Sequence, residues 1–218
     1  MEHDKMMAAM GMAMEMSWCP VDVFFTFAMW AVMMVGMMVP SASPTLLLFA
    51  SARAARGERG VSLETLTFGL GYVAVWTGFS AGATLVQWGL HQAALLSPAM
   101  ASSSGRLSGA ILIAAGVYQL TPWKGKCLTH CRSPLSFLMT SWRDGATGAF
   151  RMGFRHGVYC LGCCWALMCV LFVVGVMNLV WVAALTAFVL IEKIGPAGVV
   201  VARVAGAGMV VLGIVAIS

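Results

Sequence analysis

Six stretches of this chain, residues 23–39, 66–90, 107–121, 158–176, 179–191 and 197–217, are apolar almost throughout, with Arg203 as their only charge. A bilayer hydrocarbon core of about 30 Å is crossed by about 20 such residues in a helix, so the runs predict membrane spans. The third and fifth are short and need thinned lipid or polar flanks to cross. A water-soluble domain of 218 residues could not cover this much apolar surface: 61% of the residues are hydrophobic and 10% charged, with a mean hydropathy of +0.90. The expected fold is an all-α polytopic integral membrane bundle of about six transmembrane helices.

The basic residues orient it. Arg53, Arg56 and Arg59 follow the first run, Lys124, Lys126, Arg132, Arg143, Arg151 and Arg155 lie between the third and fourth, and Lys193 and Arg203 flank the last link. If the spans alternate, all of these share one side and only Lys5 and Arg106 lie opposite. The positive-inside rule then makes that side cytoplasmic and puts both termini outside. The net charge of +5 is a topology signal. Its residues form no stripe interleaved with aromatics, which argues against a nucleic-acid partner. The first residues are acidic and methionine-rich, without a basic region and small-residue cleavage site, so the first span is expected to be retained.

The organisation expected is a methionine-rich outer tail (1–21) and a six-helix transmembrane domain (22–218). An inner segment, about 124–155, carries a Cys-His loop and a short interfacial helix near 134–142. Pro40 and Pro44 at the inner end of the first run predict a kink or a re-entrant turn. The pairs Gly78/Gly82, Gly105/Gly109 and Gly153/Gly157 have the spacing of close helix packing in lipid.

Soft metal ligands are concentrated within this frame. His156, just before the fourth run, and Cys160, Cys164 and Met168 within it stand four apart and share a helix face, with Cys163 one step aside. Thiolate, thioether and imidazole suit Cu(I) and Zn(II). The plain alternative is that cysteine packs as a small hydrophobe. Met29, Met33 and Met37 share a face of the first run, beside Met34, Met38 and Trp30. With the two spans antiparallel, Met33 and Met37 reach the depth of Cys164 and Cys160, although such stripes also serve as adaptable packing. Cys127, His130 and Cys131 could supply further ligands, with Lys124, Lys126 and Arg132 expected to lower the thiol pKa values. No second ligand pair stands at zinc-finger spacing, and thiols facing a reducing cytoplasm should stay reduced. The outer tail holds His3, Met6, Met7, Met10, Met12, Met14, Met16 and Cys19, a set suited to collecting Cu(I), or else an unstructured start. Glu192-Lys193 ends the fifth run as a proton or metal acceptor, or as an ion pair capping the helix.

Several of these segments together are similar to a known family. Met29-Trp30-Ala31-Val32-Met33-Met34-Val35-Gly36-Met37-Met38-Val39-Pro40, Tyr118-Gln119-Leu120-Thr121-Pro122, Lys126-Cys127-Leu128, Cys131-Arg132-Ser133-Pro134, Gly162-Cys163-Cys164-Trp165, Met177-Asn178 and Glu192-Lys193 resemble bacterial domain-of-unknown-function family 2182. Its members are described as predicted metal-binding integral membrane proteins. The resemblance runs from about Trp18 to the end of the sixth run and implies a multi-span fold with a metal site at the Cys and Met motifs. With the bacterial family it resembles, the chain is expected in the inner membrane, and the function expected is binding and transfer of a soft metal, copper first and zinc second, with the lipid bilayer, the ion and a metallochaperone or membrane complex as partners. Two alternatives stand beside it. One is a membrane thiol-disulfide oxidoreductase using the C-x-x-C pair Cys160/Cys163. The other is a non-catalytic assembly subunit with His156 or His91 as a haem ligand. No nucleotide-binding motif is present to drive transport.

Overall fold

The computed structural model describes residues 19–57, 60–93 and 104–218, and these are almost wholly helical. The helices are α1 (Pro20–Ala55), α2 (Val61–Gln92), α3 (Gly105–Leu120), α4 (Pro122–Arg132), α5 (Pro134–Ser141), α6 (Gly145–Cys169), α7 (Leu171–Val174), α8 (Leu179–Ile194) and α9 (Gly198–Ile217). Four helical segments are long and apolar enough to cross a membrane: α1, α2, α6 with α7, and α9. The third and fifth runs form helices α3 and α8 of 16 residues each, about 24 Å long at 1.5 Å per residue. The methionine-rich tail up to Trp18, with Lys5, lies outside the described residues, as does Arg59.

Local chemistry sets the helix starts. Proline stands in the first turn of α1, α4 and α5, where its missing N–H is no loss. The Asp22 carboxylate accepts from the Cys19 N–H at 2.9 Å, and the Asn178 side chain accepts from the Val180 N–H at 3.1 Å. Gly175, at φ 91°, ends α7 in a backbone conformation that other residues rarely adopt.

Two sequence expectations change here. The first helix runs unbroken through Pro40 and Pro44 to Ala55, with no re-entrant turn. Ser43 donates to the Pro40 carbonyl at 2.8 Å. The Pro40 carbonyl is the one Pro44 has no N–H to serve. The Cys-His segment is not a loop but helix α4. Lys124, Leu128 and Cys131 recur at helical spacing, with Lys124 and Leu128 buried and Cys131 packed against the core. The expected short helix before Trp142 is present as α5, whose Phe137 and Leu138 are buried.

Contacts give the directions of the helices. Trp30 meets Phe172 and Met38 meets Cys164, so α1 and α6–α7 are antiparallel. Phe68 meets Gly153 and Tyr72 meets Gly157, so α2 and α6 are parallel. Gly109 meets Gly213 and Gly116 meets Gly206, so α3 and α9 are antiparallel. Basic segments meet at one end of the bundle: Arg56 lies over the Trp142 ring and 3.8 Å from Asp144, and Arg132 donates to the Glu192 carbonyl at 2.8 Å.

Of the three glycine pairs, Gly105/Gly109 and Gly153/Gly157 sit at helix crossings, whereas Gly78 and Gly82 face open space. A methyl group on Gly153 would overlap the Phe68 carbonyl oxygen. Gly153→Ala should therefore push α2 and α6 apart and lower the thermal unfolding midpoint in detergent, in line with an overpacking cost of about 1–3 kcal/mol. Gly78→Ala, measured in parallel, should leave the midpoint where it is or raise it, since its Cβ meets nothing and alanine is the better helix former.

Candidate functional site

Most of the sulfur-bearing side chains singled out in the fourth run converge in one buried core. Cys160, Cys163 and Cys164 of α6 are buried, with Met34, Met37 and Met38 of α1 and Met168 in the same core. Helical geometry accounts for the cysteines: positions 160, 163 and 164 fall within one turn and point to the same side. Tyr72 of α2 packs there because its helix approaches α6 at Gly153 and Gly157.

Two sulfur pairs stand out. The Sγ atoms of Cys163 and Cys131 are 3.9 Å apart, and Cys164 Sγ is 3.9 Å from Met38 Sδ. With metal–sulfur bonds of about 2.3 Å, both sulfurs of either 3.9 Å pair can reach a single ion. Cys160 sits in the same core, and its backbone carbonyl accepts from the Cys163 and Cys164 thiols at 3.1 and 3.0 Å. Its Sγ is also 3.0 Å from Tyr72 Oη and accepts from Lys193 Nζ at 2.9 Å. Lys193 donates to Ser41 Oγ at 3.0 Å, and the Tyr72 hydroxyl stands 3.0 Å from the Met38 carbonyl. All the described cysteines are free thiols. Among the described residues no three His, Cys, Asp or Glu side chains close into a ready cage for an ion; the arrangement is one of paired sulfurs.

The other candidates from the sequence fall around this cluster. Met168 is fully buried in the same core, Met37 is buried and Met33 is half-buried at its edge. His156 is enclosed by the rings of Phe137, Tyr72 and Phe68 at 5.2, 5.8 and 6.2 Å, and its Nδ1 has no hydrogen-bond partner. Cys127 packs against Gly162. His130 is exposed, stacked on Tyr159 at 4.5 Å, so it stands apart from Cys131. The basic neighbours do not lower the thiols of α4. Hydrogen bonding to Cys160 and Cys163 pushes Cys131 well above the ordinary thiol range, and burial raises Cys127.

Met38, Tyr72 and Lys193 are the residues that sequence reasoning passed over. Met38 stood beside the chosen stripe, and nothing in the sequence set it apart from Met37. Lys193 was read as the partner of Glu192. Adjacent helical residues diverge by about 100°, and in the fold Glu192 turns the other way: both its oxygens accept from Lys124 Nζ, at 2.9 and 2.8 Å. Gln119 closes that buried network, donating to Glu192 Oε1 at 3.0 Å and accepting from Lys124.

A cleft of about 170 Å³ leads to the cluster, lined by Ser41, Pro44, Thr45, Cys131, Arg132 and Lys193 with Pro134 and Ile194. It gives Cys131 and Lys193 an approach from the basic end of the bundle.

The family model described as PpoB2, copper chaperone, matches residues 27–216, which take in every element of this cluster. The chain belongs to the PpoB2 copper chaperone family. The metal-related character implied by the sequence motifs stands, under a family name other than the one they suggested. No curated protein and no solved structure matches the chain. Membership in a copper chaperone family makes the soft, paired sulfurs chemically apt, because thiolate and thioether are the ligands that select Cu(I).

Proposed function

We propose that this copper chaperone family member is a six-pass inner-membrane protein that binds Cu(I) at the Cys131/Cys160/Cys163/Cys164/Met38 cluster and passes it on by exchanging soft ligands one at a time. The observation that carries the reading is the convergence of thiols from α4 and α6 with a thioether from α1, at bridging separations, beside a cleft. The alternating directions of the helices support the six-pass arrangement, with α3 and α8 as short spans. On that arrangement the cluster lies at the inner rim of the membrane: Met38 is next to the end of the first run, Cys160 near the start of the fourth, and Lys193 just past the fifth.

In the mechanism, Cys131 is the thiol a donor or acceptor meets first through the cleft. The ion moves from Cys131 and Cys163 to the deeper Cys160, Cys164 and Met38, where low polarity excludes competing water. Met168, Met37 and Met33 extend the soft lining, and His156, Cys127 and His130 stand one layer out. Each transfer keeps the ion bound to sulfur, with a thiol proton lost for every thiolate formed and the copper oxidation state unchanged. The methionine-rich tail serves as an outer collector of the same ion. A metallochaperone or a membrane complex needing copper is the partner.

The test is an anaerobic Cu(I) titration of purified, reduced protein in detergent against a chromophoric chelator. Tight, stoichiometric binding is expected, weakened about tenfold or more in Cys164→Ser and in Met38→Leu, since a hydroxyl or a hydrocarbon is a poor ligand for Cu(I). A wild-type protein that binds no Cu(I) would refute the proposal. The oxidoreductase reading would replace it if Cys163→Ser were the more damaging change and a Cys160–Cys163 disulfide cycled during function.

A further inference from the structure

We infer that Lys193 is the built-in counter-charge of the cysteine cluster and makes it selective for monovalent over divalent soft ions. The inference rests on the copper reading above and adds to it the valence of the cargo. Lys193 is 7% exposed, and its ammonium is held against Cys160 Sγ at 2.9 Å and Ser41 Oγ at 3.0 Å.

Among the described residues no carboxylate is paired with it. Its neighbour Glu192 is fully engaged by Lys124 and Gln119, and this pair is neutral as a unit. Arg132, at the mouth of the cleft, is committed to the Glu192 carbonyl. His156 and Tyr72 complete the titratable groups facing the cluster, alongside its own thiols. The ammonium therefore faces sulfur.

Charge balance then ranks the ions. When two thiols bind Cu(I) they release two protons through the cleft and form a dithiolate complex of charge −1, which the Lys193 ammonium brings to zero. The same two thiolates around Zn(II) or Cd(II) are already neutral, and Lys193 leaves an uncompensated +1 in the apolar interior. Burying unpaired charge is costly, so at a pair of thiolates the monovalent ion is favoured over a divalent ion of similar softness. The Met38 thioether adds a ligand without adding charge, which keeps the balance intact.

The experiment compares Ag(I) with Cd(II), two soft ions that differ in charge and undergo no redox change under the assay conditions. It uses competition titrations of reduced, detergent-purified wild type, Lys193→Met, Lys193→Gln and Lys193→Arg. Wild type should bind Ag(I) well ahead of Cd(II). Either neutral variant should lower the Ag(I)/Cd(II) affinity ratio about tenfold or more, and Lys193→Arg should keep it. A ratio unchanged within about twofold in a folded neutral variant overturns the inference. So does a wild type that binds Cd(II) as tightly as Ag(I), a result that needs no variant at all. These outcomes leave the copper site standing, whereas a wild type that binds neither Ag(I) nor Cu(I) removes the site itself.

Discussion

Changing Cys160 and Cys164 together to serine is expected to abolish most copper binding while leaving the fold intact. Both side chains are buried in the shared core, and serine is close to cysteine in size. The bond from position 164 to the Cys160 carbonyl, 3.0 Å in the native protein, can be made by a hydroxyl. A serine at position 160 can likewise accept from Lys193. What is lost is softness: a hydroxyl stays protonated near neutral pH and offers a hard oxygen where Cu(I) selects sulfur. Copper per protein should fall by most of its wild-type value, and affinity in chelator competition should fall about a hundredfold or more, as for loss of two of the ligands that hold an ion. The thermal midpoint of the copper-free protein should change little. Unchanged copper stoichiometry would return these cysteines to the role of small packing residues.

The largest effect on stability is expected at Lys124. Its ammonium and the Glu192 carboxylate are each 2% exposed and 2.8 Å apart. Gln119 completes the network, which ties the end of α3 and the start of α4 to the end of α8. Lys124→Met leaves Glu192 buried without its cation, a situation that costs about 3–5 kcal/mol when one partner of a buried pair is removed. Chemical denaturation in detergent micelles should show that loss. Lys124→Met combined with Glu192→Gln should recover much of it, because no unpaired charge remains. Lys193 projects from the same helical turn as Glu192, so the single variant should also weaken Cu(I) binding, and the double variant should restore part of it. Equal stability of the single variant and wild type would mean that the pair is hydrated and holds nothing together.

Much of the architecture was legible because it depends on local pattern. The apolar runs predicted helices at every place where a long one forms, and the run at 179–191 matches α8 to within its last turn. The four-residue spacing of His156, Cys160, Cys164 and Met168 was read as one face, and all four are buried. The glycine pair at 153 and 157 was read as a helix crossing, which it is. Local pattern misled where the environment is mixed. Charged and polar residues between Pro122 and Arg132 suggested a loop, yet Lys124, Leu128 and Cys131 recur at helical spacing. Pro40 and Pro44 suggested a kink or a re-entrant turn; Ser43 reaches the carbonyl that Pro44 leaves free, and the helix continues without a re-entrant turn.

By itself the sequence determined the all-helical class of the fold, the apolar helices and the supply of soft ligands, because apolar composition and helical periodicity act over a few residues at a time. Only the tertiary structure decided which ligands meet. Met38 rather than Met37 stands 3.9 Å from Cys164, Cys131 reaches Cys163 while His130 turns away to stack on Tyr159, and Lys193 points at Cys160. These choices depend on how α1, α4, α6 and α8 rotate against one another. That rotation is set by contacts between distant residues, such as Gly153 against Phe68 and Lys124 against Glu192, which no local pattern encodes.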